Sequence, residues 1–184
     1  MLRAFPIAIA LLLICGGAFA QDGFEAVKCT SNIGDALVGR HLRNERAVVT
    51  ERRNQNIGLK DLGGTEVSDA LFLESWLICG SEYELLINRR NDLILDVLAF
   101  PVHSKIAPEF IGSCQANGRQ IEDEVIAVLD NASEYKAKDP SRDDTLLAVK
   151  AAWRIDEKTR RFVSVPIDGL RCPSAGIVTS DGGW

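Results

Sequence analysis

Cysteine content is the feature that most limits how this chain can fold. Of its five cysteines, Cys15 lies in an N-terminal apolar segment, and the others are Cys29, Cys79, Cys114 and Cys172. An even number of cysteines in an oxidising compartment predicts two disulfides. The spacing contains no C-x-x-C pair, which argues against both a redox motif and a zinc knuckle. We therefore predict that the four later cysteines pair with one another.

Three connectivities are possible for four cysteines. We favour the nested one, Cys79 with Cys114 and Cys29 with Cys172, because it ties the two ends together and closes a shorter loop inside. Each bridge is expected to stabilise the fold by roughly 2 to 4 kcal/mol, mainly by restricting the unfolded chain. A reactive cysteine at position 79 would need a strand-turn-helix geometry, whereas the residues that follow it alternate like a strand. Cys79 is therefore interpreted as a structural residue.

Residues 1–20, MLRAFPIAIALLLICGGAFA, have the pattern of a Sec-type signal peptide. Arg3 precedes an apolar core, and the small residues Ala18 and Ala20 predict cleavage between Ala20 and Gln21. The apolar run is too short to cross a bilayer of about 30 Å as a helix, and no later segment is longer. We therefore predict a periplasmic or secreted protein with no transmembrane segment in the mature chain.

Length and charge narrow the class of protein further. The chain has 184 residues, so residues 21–184 fall within the usual range of one domain. We predict a single exported globular domain, with a disordered tail over about residues 173–184. The formal net charge is −5, with both signs mixed along the sequence. This argues against nucleic acid as a partner, because binding the phosphate backbone requires a clustered basic surface.

Alternating apolar residues predict antiparallel strands. Every second position from Leu147 to Ile155 is apolar, a polar DEKT turn follows, and residues 161–165 are again strand-like, so we predict a hairpin that ends at Pro166. Upstream, residues 72–79, 82–88 and 93–100 predict a three-strand meander. Its first turn is expected to be a type II′ turn at Gly80-Ser81.

Other segments carry weaker patterns. Residues 121–132 fit either a strand or a helical stripe, and we favour a strand because Val and Ile dominate. A strand is also predicted over residues 47–50, and residues 54–68 are interpreted as a loop because of their glycines.

A short N-terminal helix is predicted between residues 30 and 42, capped by Asn32 or Asp35, with Leu37, Val38 and Leu42 facing inward. The fold class that follows is β-rich α+β: an antiparallel sheet made of the meander and the hairpin, the short helix, and two disulfides.

Catalytic and metal-binding motifs are scarce. The only histidines, His41 and His103, do not form an H-x-x-x-H or H-E-x-x-H spacing, so we predict no zinc site and no metal. The Asp-rich loops lack the alternating spacing of a calcium site, and no glycine-rich phosphate loop follows a strand. We therefore predict no cofactor.

Asp96 and His103 are the only catalytic candidates, with Ser104 beside them at the end of a predicted strand. Adjacent side chains project in different directions in extended chain, whereas a base must reach its nucleophile at about 2.6 to 3.2 Å, so a structural role is favoured. Glu82 and Glu84, two positions apart on a strand, share a face. That face is either a paired-carboxylate site or an ordinary solvated surface.

These observations favour a non-enzymatic interaction protein, for instance an inhibitor or immunity-type factor that binds another exported protein. A hydrolase acting on the cell envelope and a protein that binds a small ligand are the alternatives.

Overall fold

A computed structural model describes residues 24, 27–42, 56–102, 109–129 and 146–173 of the chain. These residues form one short helix and nine β-strands. The elements, in chain order, are α1 (Ile33–Leu37), β1 (Lys60–Glu66), β2 (Leu71–Ile78), β3 (Ser81–Asn88), β4 (Leu93–Ala99), β5 (Glu109–Ala116), β6 (Arg119–Leu129), β7 (Leu146–Asp156), β8 (Arg161–Ser164) and β9 (Leu170–Pro173).

The strands form two antiparallel sheets. Strands β1 to β4 lie side by side in chain order as a four-stranded sheet. In the second sheet β5 pairs with β6 and β9, and β7 pairs with both β6 and β9, so these four strands close into a small barrel. Strand β8 extends the barrel by pairing with the C-terminal end of β7.

The core of the described residues consists of three clusters of apolar side chains. One cluster packs α1 and Phe24 onto one face of the four-stranded sheet, around Trp76. A second fills the interior of the barrel, around Cys114 and Cys172. The third joins the other face of the four-stranded sheet, through Leu73, to the outer face of the barrel. This third cluster is the contact between the sheets, and it positions the candidate site.

The helix begins where its N-cap side chain predicts. Asn32 Oδ1 accepts a hydrogen bond from the backbone N–H of Gly34 at 3.0 Å, as is typical of an N-cap. Leu37 and Leu42 are buried as predicted, but Val38 is 43 % exposed. The prediction for Val38 is wrong because the helix ends at Leu37, and Val38 is the C-cap residue, with backbone angles (φ −56°, ψ 131°) that take it out of the helical pattern.

The two predicted disulfide partnerships are wrong, although all four cysteines are paired. Cys29 bonds Cys79, and Cys114 bonds Cys172. In the barrel, β5 and β9 are neighbours, so Cys114 lies opposite Cys172 with the two Cα atoms 4.4 Å apart. Cys79 belongs to the cluster on the helix side of the four-stranded sheet, which places it beyond reach of the barrel cysteines.

The meander and the hairpin are not parts of one sheet as predicted. The strands predicted between residues 72 and 100 are β2 to β4, whereas the hairpin of β7 and β8 belongs to the barrel. The segment 121–132 contributes a strand, β6, through Leu129. Residues 54–68 are not simply a loop, since they contain β1.

The turn between β2 and β3 also differs from the prediction. Its two central residues are Cys79 and Gly80, with φ angles of 54° and 79°. Two successive residues with positive φ are typical of a type I′ turn, not the predicted type II′ turn at Gly80-Ser81.

The predicted signal peptide, the strand at 47–50, and His103 with Ser104 lie outside the described residues.

Candidate functional site

A cleft of about 730 Å³ lies where the four-stranded sheet and the barrel diverge. One wall is the end of β1, residues 65–67, and the other is the end of β7 and its turn, residues 154–158. Leu73 and Ile126 lie between the walls and also belong to the cluster that joins the two sheets. The cleft is therefore an open continuation of the contact between the sheets, with an apolar floor.

The register of the strands explains the direction of these side chains. Thr65 lies opposite Leu73, and directly opposite residues of neighbouring strands share a face, so Thr65 faces the barrel. On β6, Glu124 and Ile126 are two positions apart and share the outer face of the barrel. The cleft thus receives Thr65 from β1 and the alternate side chains Glu124 and Ile126 from β6.

Charged groups surround the mouth of the cleft. Four of the lining residues are acidic, namely Glu66, Glu124, Asp156 and Glu157, and two are basic, Arg154 and Lys158. Glu66 forms an ion pair with Arg89 on the turn after β3. The lining therefore carries more negative than positive charge.

One of these carboxylates has a structural role in the turn after β7. The backbone N–H groups of Thr159 and Lys158 donate to Asp156 Oδ1 at 3.2 and 2.9 Å. These two bonds, with a smaller effect from nearby Arg154, lower the pKa of Asp156 below its ordinary value. Asp156 therefore remains ionised and holds the shape of this wall, whereas the exposed side chains of Glu124 and Glu157 face solvent.

The catalytic candidates are not brought together within the described residues. Asp96 lies on β4, and its Oδ2 accepts a hydrogen bond from the backbone N–H of Phe162 on β8 at 2.8 Å. This bond joins the edge of the four-stranded sheet to the barrel. His103 lies outside the described residues.

Glu82 and Glu84 do not form an exposed carboxylate pair. Glu84 is fully buried, because its face of the sheet is covered by the barrel. It lies opposite Ser75 on one side and Leu98 on the other, and Leu98 packs in the cluster between the sheets. The Ser75 hydroxyl lies 2.8 and 2.9 Å from the two carboxylate oxygens and donates to them. Both interpretations of this pair were therefore wrong for Glu84.

A smaller concavity of about 260 Å³ lies at the β8 side of the barrel. Its lining is mostly apolar and includes Ile121, Val125, Val163 and Pro166. Its polar lining residues are Arg154 and Ser164, fewer than the polar residues that line the larger cleft.

Among the described residues, no group of three or more His, Cys, Asp or Glu side chains could hold a metal ion. No helix in the described part of the chain is long and apolar enough to cross a membrane.

The cleft was not predicted from the sequence. Its β1 wall was interpreted as loop because of its glycines. All seven residues of that strand are exposed, so no alternation of buried and exposed positions indicated a strand. Its other wall lies at the end of β7, which was predicted as a strand. Periodicity alone does not indicate which strand lies across the cleft from β7. Comparison with protein-family models, with curated protein sequences and with solved structures finds no match for this chain.

Proposed function

We propose that this chain is an exported, non-enzymatic interaction protein, of the inhibitor or immunity type, that binds another exported protein through the cleft between its sheet and its barrel. The observation that carries the proposal is the cleft itself. It has an apolar floor, a charged rim and a wall made by a fully exposed strand. An apolar centre within a polar rim is typical of protein–protein interfaces.

The alternative of a small-ligand site receives less support. The volume of about 730 Å³ is within the range of ligand pockets. However, such pockets are lined mostly by apolar and aromatic groups and enclose most of the ligand. Here six charged residues line the cleft, and the β1 wall is exposed along its length.

The alternative of an envelope hydrolase also receives less support. The described residues that line the cleft include no serine, cysteine or histidine, so they form no Ser–His or Cys–His pair. Of its four carboxylates, Glu66 is ion-paired with Arg89 and Asp156 holds the turn after β7. The carboxylate of Asp96 is used in a bond between the sheets.

Export is part of the proposal and is supported by the disulfides. Both bridges join cysteines that are distant in sequence, with separations of 50 and 58 residues. Bridges of this kind form and persist in oxidising compartments.

Site-specific photo-cross-linking tests the proposal. A benzophenone amino acid is placed at Thr65, which faces the cleft, and in a matched protein at Asp35, which is exposed on α1 at the opposite face of the sheet. After irradiation of the producing cells, we expect one dominant cross-linked protein from position 65 and none from position 35. Mass spectrometry of the adduct identifies the partner.

The control for the charged rim is a second pair of proteins. The double substitution Glu124→Lys with Glu157→Lys should abolish the adduct from position 65. The double substitution Asp35→Lys with Asp168→Lys changes the net charge equally at other sites and should leave the amount of adduct unchanged. Equal cross-linking from positions 65 and 35, or no adduct from either, would contradict the proposal.

A further inference from the structure

The outer edge of β1 is suited to pairing with another strand. Among the described residues only β2 pairs with it, and all seven of its residues are exposed. An edge strand presents a row of backbone N–H and C=O groups that can accept an added strand. The register with β2 shifts between Asp61 and Gly63 and is regular over residues 63–66. The Gly63 N–H already donates to Asp61 Oδ1 at 2.8 Å, so an added strand would pair through the other backbone groups of this stretch.

The regular part of β1 is also open to approach. Gly63 and Gly64 have no side chains to cover the backbone. At Gly64 a Cβ would lie 2.4 Å from the backbone oxygen of Leu73, so the close packing of β1 on β2 requires glycine there. The glycines that made this segment look like loop therefore leave a strand edge with an accessible backbone.

The same stretch borders the cleft. Thr65 faces the barrel, and residues 65–67 form the cleft wall. A strand added beside residues 63–66 would direct every second side chain towards the barrel wall, because side chains alternate between the two faces of a sheet. Glu124 and Glu157 stand exposed on that opposite wall.

We propose that the cleft receives an extended segment of a partner protein, which adds to the sheet beside residues 63–66 and carries Lys or Arg at alternate positions facing Glu124 and Glu157. This inference rests on the proposed function and specifies the partner's chemistry. Backbone pairing supplies affinity in this mode of recognition, and the alternate side chains supply specificity.

Charge distinguishes this occupant from a second copy of the chain. Within residues 63–66 the only charged side chain is Glu66. In a second copy this side chain is already ion-paired with Arg89, so the same stretch would bring no net positive charge to a rim that has more acidic than basic groups. A cationic segment instead complements the rim.

Three fluorescein-labelled nine-residue peptides test the inference with purified, oxidised full-length protein. The first alternates Lys and Val, the second alternates Glu and Val, and the third is the Lys–Val peptide with N-methyl groups that block strand pairing. Fluorescence anisotropy measures Kd at low and physiological salt. We expect the first peptide to bind at least about tenfold more tightly than either of the others.

Protein variants separate the cleft from general charge attraction. Glu124→Lys with Glu157→Lys should raise the Kd of the Lys–Val peptide at least about tenfold. The matched pair Asp35→Lys with Asp168→Lys changes the net charge by the same amount. It should raise the Kd of the Lys–Val peptide far less. The inference would be overturned if the two pairs of substitutions raised the Kd of the Lys–Val peptide equally. It would also be overturned if the Glu–Val peptide or the N-methylated peptide bound as tightly as the Lys–Val peptide.

The outcomes also separate this inference from the proposed function. If Thr65 cross-links to a partner but the peptides do not show the expected differences in Kd, the interaction role stands. The proposed pairing with a cationic strand is then overturned. A concentration-dependent dimer in light scattering that does not bind the Lys–Val peptide would assign the edge to a second copy and overturn the inference.

Discussion

Glu84 is a buried carboxylate that solvent does not reach. It is fully buried between the two sheets, and the Ser75 hydroxyl is its cross-strand neighbour at 2.8 and 2.9 Å from its two oxygens. Burying a charged or polar group costs free energy unless hydrogen bonds replace those of water. The serine is therefore a structural partner of this carboxylate and not an incidental neighbour.

Replacing Ser75 with alanine should lower stability. The substitution leaves Glu84 buried with one donor fewer, and we expect the free energy of unfolding to fall by roughly 1 to 3 kcal/mol. Urea unfolding at neutral pH measures the change. Ser164→Ala, at an exposed position on β8, is the control and should change stability by less than about 0.5 kcal/mol. Equal unfolding midpoints for the two variants would show that the Ser75 hydroxyl contributes nothing.

At the scale of single elements, β1 and the β5–β6 hairpin differ in how clearly the sequence indicates them. The hairpin turns through Asn117 and Gly118, with φ angles of 51° and 76°. Asn-Gly is the strongest short-range signal of a type I′ turn, and it predicts this hairpin once it is noticed. Strand β1 carries no such signal, because both of its faces are exposed.

Gly64→Ala tests whether β1 depends on close backbone packing. The added Cβ would meet the Leu73 oxygen at 2.4 Å and a ring carbon of Phe72 at 2.7 Å. Overpacking of this kind should lower the free energy of unfolding by roughly 1 to 3 kcal/mol, measured by urea denaturation. Thr65→Ala, on the same exposed strand, is the comparison and should cost less. A Gly64→Ala protein as stable as the wild type would mean that β1 does not pack on β2 in this way.

At the scale of the whole molecule, the sheet and the barrel form separate disulfide-linked units. Cys29–Cys79 links the segment before α1 to the four-stranded sheet, and Cys114–Cys172 links two strands of the barrel. No bridge among the described residues crosses between the units. Their association depends on the apolar cluster around Leu73 and on the bond from Phe162 to Asp96.

Two substitutions of Asp96 test the polar part of that association. Asp96→Ala leaves the Phe162 N–H without its acceptor and should lower the free energy of unfolding by roughly 1 to 3 kcal/mol. Asp96→Asn keeps an oxygen acceptor and should cost less. Urea denaturation compares the two proteins. If alanine and asparagine have the same effect, the hydrogen bond between the sheets is not what Asp96 contributes.

The sequence alone determined the local features of this protein. Alternating apolar residues indicated β3 and β7, because a strand buries one face at every second position. Runs of large apolar, β-branched or aromatic residues indicated β2, β4 and β8. The even number of later cysteines indicated two disulfides. These features depend on residues that are close in sequence or on simple counts.

Only the tertiary structure decided how these parts combine. Which strands are neighbours sets the disulfide partners, and it also sets the division into a sheet and a barrel. Periodicity shows that Glu82 and Glu84 share a face, but not that the barrel covers Glu84. The cleft has the same origin, since its walls come from β1 and β7, which are far apart in sequence. No local pattern encodes such a juxtaposition, because it arises from the packing of one sheet against another.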